Sequence, residues 1–182
     1  VTGIVSTQTM RWDGSLLLEP GYDARTGLIL LNPPDLPEMT VHPVRYDAQN
    51  ALALLKELIA DFPFAGPGSM AVALSAFITA VVRAALAAAP MHVTTAPQAG
   101  SGKSYLFDIV ACVALGQYCP VIAAGKTEDE MEKRLGAALM SGQPIICIDN
   151  VNGELGGELL CQAVERPVIT PRILGKSNLG DV

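Results

Sequence analysis

At 182 residues the chain is long enough for one domain with a sizeable core plus an appendage, and half of its residues are apolar, which excludes a disordered chain. A formal charge of -6 and a pI near 4.8 exclude a general nucleic-acid coat, because sequence-independent affinity for DNA comes from basic surface. Any contact with DNA must therefore be local.

Residues 1–45 read as short strand-like pieces broken by turns, an irregular β-hairpin-like segment. The pieces are Leu16 to Leu18 after Trp12-Asp13-Gly14-Ser15, and Leu28 to Leu31 after Pro20-Gly21-Tyr22-Asp23 and before Asn32-Pro33-Pro34. The Asp13-Gly14 step predicts a tight hairpin turn. Trp12 and Tyr22 read as base-stacking rings or as packing residues, the second being the commoner role for aromatics in an irregular segment.

Residues 46–90 read as a two-helix segment. Asp47 is expected to start a helix with Leu52, Leu55, Leu58, Ile59 and Phe62 on one stripe, stopped by Pro63. Ser69 is expected to cap a second helix from Met70 to Ala89, apolar nearly all round. That run has the length of a membrane span, but Ser75, Thr79 and Arg83 fall on one line and much of the rest is alanine. It reads as a helix buried between parts of the domain, with no membrane involved.

The stretch from Ala96 to Ser104 reads as a phosphate-binding loop between a strand at His92-Val93-Thr94-Thr95 and a helix carrying Leu106, Ile109, Val110 and Val113. Glycines let several backbone N-H groups converge on one anion at the positive end of a helix. Gly100, Ser101, Gly102 and Lys103 are assigned to phosphates and the Ser104 hydroxyl to Mg²⁺. Pro97 stands where G-x-x-x-x-G-K-[ST] has its first glycine, and Gly-Lys-Ser/Thr recurs at Gly125-Lys126-Thr127 and Gly175-Lys176-Ser177. Only the first copy has room for a loop, since apolar strand residues run directly into the other two.

Pro120 to Ala124 reads as a second strand, and Thr127-Glu128-Asp129-Glu130 as a capping box opening a helix with Met131, Leu135, Ala138 and Leu139 on one face. The continuous apolar run from Ile145 to Ile148 predicts a strand buried on both faces of a parallel sheet, with Asp149 at its carboxyl end, where such sheets bind ligands. Asp149 is expected beside Ser104 on Mg²⁺, or else as the first residue of a turn. Alternating strands and helices from residue 91 onward predict an α/β fold, a three-layer sandwich with a parallel sheet. Cys112, Cys119, Cys147 and Cys161 lie in apolar segments without close pairing, as in reduced cytoplasmic proteins, and His42 and His92 are isolated. The start at Val1-Thr2-Gly3 carries no signal peptide, and the chain reads as a segment excised from a longer protein.

From about Tyr46 onward the chain resembles the ATPase part of phage- and integrative-element-borne primase-helicases, within the AAA+ and superfamily 3 helicase group. The resemblance is carried by Thr95-Ala96-Pro97 with Gly100-Ser101-Gly102-Lys103-Ser104, by Gly125 to Ala137, by Ile148-Asp149-Asn150, by Leu155 to Leu160 and by Arg172 to Lys176, about half of the chain. It implies a P-loop NTPase sandwich incomplete at its carboxyl side over residues 91–182, and a DNA helicase driven by ATP and Mg²⁺ in replication of a phage or mobile element. In the full-length protein it implies a homo-oligomer, a hexameric ring in the cytoplasm.

By the same resemblance, Pro97, Gln98, Ala99 and Tyr105 join Gly100 to Ser104 around the nucleotide, and Lys103, Asp149, Asn150 and Glu158 form the catalytic set. Asn150 stands where a water-activating Glu is usual; an amide can orient a water but cannot act as a base. Glu158 could supply that carboxylate, with Glu154 weaker, and both also read as helix-surface acids. Arg172 and Lys176 either touch DNA phosphates in a pore or flank a hairpin. The polar sensor and the arginine finger, the latter worth about 10³ to 10⁵ in rate, are expected beyond Val182. A nucleotide-dependent ring-assembly module without turnover is the alternative, favoured by Asn150. A small-molecule kinase would need an Arg-rich lid, whereas Arg134, Arg166 and Arg172 alone follow the loop.

Overall fold

Turn residues cut the amino-terminal segment into strands too short to build one broad sheet. The computed structural model describes residues 3–37, 40, 42–166 and 168–170. It places β1 (Gly3–Val5), β2 (Thr9–Met10), β3 (Leu16–Leu17), β4 (Gly21–Tyr22) and β5 (Leu28–Leu30) in this region. β5 is the middle strand of one sheet, parallel to β1 with Ile4 opposite Ile29, and antiparallel to β4. β2 and β3 form the expected hairpin, turning at Gly14 with a φ of +82°.

Polar side chains fasten this hairpin to its neighbour. The Asp13 carboxylate accepts from the Ser15 amide at 3.1 Å and from its hydroxyl at 2.7 Å, and Arg25 pairs with it. These contacts, the Ser15 hydroxyl first, hold the Asp13 carboxyl down at about 2. The Arg11 guanidinium reaches Asp23 at 3.1 Å and, with Thr26, keeps that carboxyl below the usual range. Trp12 and Tyr22 are 67% and 61% exposed, so neither is the packing residue the sequence favoured.

α1 spans Arg45–Leu58 and starts before Asp47. Asp47 lies in the first turn and its carboxylate accepts the Val44 N-H at 2.9 Å, so it serves the helix start from inside rather than as the cap. Phe62 falls beyond the helix. α2 spans Pro67–Val82 with Gly66 as its cap and Pro67 at the first position, where a missing N-H costs nothing. Ser69, expected as the cap, lies inside the helix. A single 3₁₀ turn at Arg83–Ala85 closes it, and the Arg83 side chain holds the Leu86 carbonyl at 2.7 Å, so Leu86 to Ala89 are not helical.

α2 is one-sided, a correction to the all-round burial expected: Ala73, Leu74, Ala76 and Phe77 are buried while Val72 and Ile78 are exposed. Among the described residues the stretch Pro67–Ala85 is long and apolar enough to cross a membrane, yet its inner face joins a packed cluster. That cluster unites Ile59 and the α2 face with Leu106 and Val110 of α3 (Lys103–Leu115). The other end of α3, Ala114 and Leu115, packs into a second cluster with Val5, Leu17 and Leu30. α3 ends at Gly116, whose φ of +71° is the left-handed closure a glycine favours.

The remaining elements alternate as read: β6 (Val121–Ala123), α4 (Glu128–Met140), β7 (Cys147–Asp149) and α5 (Glu158–Glu165). β6 and β7 are parallel, with Ile122 opposite Ile148, and Met131, Leu135 and Leu160 form the third cluster on them. The parallel sheet is thus one pair of strands. Residues 92–95 join no ladder among the described residues, although Val93 and Thr95 are exposed while His92 and Thr94 are half-buried. Cys147, Ile148 and Asp149 are half-buried rather than covered on both faces, because among the described residues β6 is their only paired neighbour.

Candidate functional site

The glycine loop has the backbone the sequence required. Gly100 and Gly102 lie at φ +77° and +85°, a region L side chains rarely enter, and Gly102 caps α3, its carbonyl accepting the Leu106 N-H at 2.9 Å. Among the described residues no hydrogen bond takes up the backbone N-H groups of Gly100, Ser101 or Gly102. The first N-H groups of α3 likewise have no partner within the helix. Lys103 folds back with its Nζ 3.4 Å from Ser101 Oγ, and no carboxylate among the described residues pairs with it. A curled run of free donors with an ammonium over it has the chemistry to accept a polyanion.

The fold brings the second half of the site to the first. The Ser104 hydroxyl donates to Asp149 Oδ2 at 3.3 Å across 45 positions of sequence. Asp149 Oδ1 accepts the Asn150 N-H at 2.7 Å, and the Asp149 carbonyl accepts the Ala124 N-H, which fixes the carboxylate at the carboxyl end of β7. A hydroxyl and a carboxylate facing one point are hard oxygen donors of the kind Mg²⁺ accepts alongside phosphates and water. No group of three His, Cys, Asp or Glu suited to a metal occurs among the described residues.

Asn150 takes the left-handed conformation at φ +58°. It lines a cleft of about 630 Å³ at the carboxyl ends of β6 and β7, together with Lys126, Asn152 and Glu154. Glu158 lies elsewhere, in the groove between α4 and α5 beside Asp129 and Lys133. Of the two acids weighed from the sequence, Glu154 lines the cleft with Asn150, and Glu128 lines it as well. A helix-start position was legible for Glu158, but the path of the Asn152 to Gly157 loop was not.

The second Gly-Lys-Thr copy is a helix start. A side chain at Gly125 would meet the Met131 backbone N at 2.4 Å, the Lys126 N-H donates to Glu130 Oε2 at 2.9 Å, and Thr127 Oγ1 accepts the Glu130 N-H at 3.3 Å. Arg134 then donates to the Ala123 and Ala124 carbonyls, which ties α4 to the end of β6. The third copy, with Arg172 and Lys176, lies outside the described residues. Pro97, Gln98 and Ala99 are exposed along the loop.

Two features escaped the sequence reading. Cys119 and Cys147 meet side by side at the β6 and β7 starts, and the hydrogen bond between them, with burial, pushes the Cys119 thiol up. The Phe62 ring lies against the loop itself, as a Cβ on Gly102 would stand 3.3 Å from Phe62 Cε1. His92 is structural, its Nε2 3.2 Å from Ser75 Oγ of α2. No family model, curated protein or solved structure matches the chain, so the site is read from its own geometry.

Proposed function

We propose that the chain is the ATP-binding part of a P-loop ATPase, belonging to a ring-forming DNA helicase of the primase-helicase kind. The observation that carries the nucleotide site is the 3.3 Å approach of Ser104 to Asp149, with Lys103 over a glycine loop and paired with no carboxylate among the described residues. Backbone N-H groups from Gly100 to Ser104 bind the phosphates, and Lys103 adds charge on the outer ones. Ser104 and Asp149 would hold Mg²⁺, which would supply charge neutralisation at the phosphates when bound. Asn150 orients water at the end of β7, and Glu154 and Glu128 line the same cleft as acids able to take a proton. The DNA-translocating, hexameric context rests on the sequence resemblance alone.

Mg²⁺-dependent ATP binding by calorimetry, on the parent and on Lys103→Ala, tests the site. Binding in the parent that disappears in the variant is the expected result; equal binding in both sinks the phosphate-loop assignment. A second reading, a nucleotide-dependent assembly module without turnover, is favoured by Asn150 at the catalytic position and by Glu158 facing another groove. Single-turnover hydrolysis on the same samples separates the two.

A further inference from the structure

Beside the phosphate loop the chain carries an aromatic surface that polyanion binding does not use. The Tyr105 and Phe62 rings lie nearly parallel, with centroids 6.1 Å apart and planes inclined by 16°. Phe62 is half-buried, leaning on Phe64 and on the α2 and α3 cluster, so it is fixed. Tyr105, in the first turn of α3, is 62% exposed. Because Phe62 also abuts the Gly102 backbone, the ring pair borders the loop directly.

We propose that Phe62 and Tyr105 form a shelf on which the base of a purine nucleoside triphosphate stacks while its phosphates lie in the loop. This rests on the phosphate-loop reading above and adds the base class to it. Phe62 sets the plane, and the exposed Tyr105 presents a flat π-face to the ligand. Stacking needs no hydrogen-bond readout, so the shelf selects by ring area and favours purines over pyrimidines. A base on one aromatic ring is worth about 5- to 150-fold in affinity.

Calorimetry with Mg²⁺ on the 182-residue chain compares ATP, UTP and inorganic tripolyphosphate, for the parent, Tyr105→Ala and Tyr105→Phe. The parent should bind ATP more tightly than UTP. Tyr105→Ala should weaken ATP by about 5- to 150-fold and leave tripolyphosphate unchanged, and Tyr105→Phe should restore ATP. An equal loss for ATP and tripolyphosphate would mean that the ring only holds the loop in shape, and overturns the shelf. So does ATP binding indifferent to Tyr105→Ala while tripolyphosphate still binds. A parent that binds no tripolyphosphate overturns the phosphate loop itself, and the shelf with it.

Discussion

Alanine at Gly102 and at Gly100 should have different costs, although both residues sit in left-handed backbone. An L side chain in that region costs about 1 to 2 kcal/mol, while stiffening the unfolded chain returns about 0.4 to 1. Gly100, at φ +77° with nothing within 4 Å of a built Cβ, should therefore lose about 0.5 to 1 kcal/mol. Gly102, at φ +85°, adds the Phe62 ring edge at 3.3 Å. Overpacking costs about 1 to 3 kcal/mol, here at its lower end because a ring edge can shift by a few tenths of an ångström, for a total of about 2 kcal/mol. Urea unfolding of both variants measures the gap as a shift in midpoint at unchanged m. Phe62→Leu in the Gly102→Ala background should recover part of the excess as a coupling energy. Gly102→Ala no costlier than Gly100→Ala refutes the packing argument, and two neutral variants refute the left-handed loop.

Two further outcomes follow from the polar contacts. Thr127→Ala should cost about 1 kcal/mol of stability and Thr127→Ser much less, with nucleotide affinity unaffected, since Thr127 caps α4; lost affinity would reopen the second Gly-Lys-Thr copy as a phosphate site. Asp13 and Asp23 both have carboxyls depressed in the folded state, Asp13 to about 2 from 3.8. Their contribution is complete above pH 3.8 and fades as pH falls toward the folded values, so stability should drop through that window. Asp13→Asn with Asp23→Asn should flatten the slope of urea midpoints measured from pH 5 down to pH 2; an unchanged slope counts against these pairings.

Local chemistry was legible where one residue type answered one local demand. Glycines at positive φ, Thr127 as a cap and the turn at Gly14 could be read from the sequence, because each constraint lies within a few residues. The α2 start was misplaced because Ser69 and Pro67 both suit a helix start, and the proline's fixed φ prevailed over a side-chain acceptor. Strand identity at residues 92–95 failed for a different reason. β-branched residues favour an extended backbone, but a strand needs a paired neighbour, and among the described residues β7 takes only β6. Asp149 near Ser104 was anticipated from the order of elements, whereas Phe62 against Gly102 is a tertiary contact with no local signature.

α3 belongs to two clusters at once, Leu106 and Val110 to one and Ala114 and Leu115 to the other. Its first turn also carries Lys103 and Ser104, the side chains proposed to bind phosphates and Mg²⁺. A ligand held there at a hundred times its Kd adds about 2.7 kcal/mol to the folded state, and that energy is shared by whatever must open when α3 lets go. The α2 helix and the amino-terminal strands fall in this group, although neither α2 nor those strands contribute a residue to the phosphate loop. The α4 and α5 cluster packs on its own strands and is tied to this group by the Ser104 to Asp149 contact and by Ile145, which packs into the amino-terminal cluster. Binding at the proposed site would therefore act as a thermodynamic clamp on α3 and on both clusters that share it.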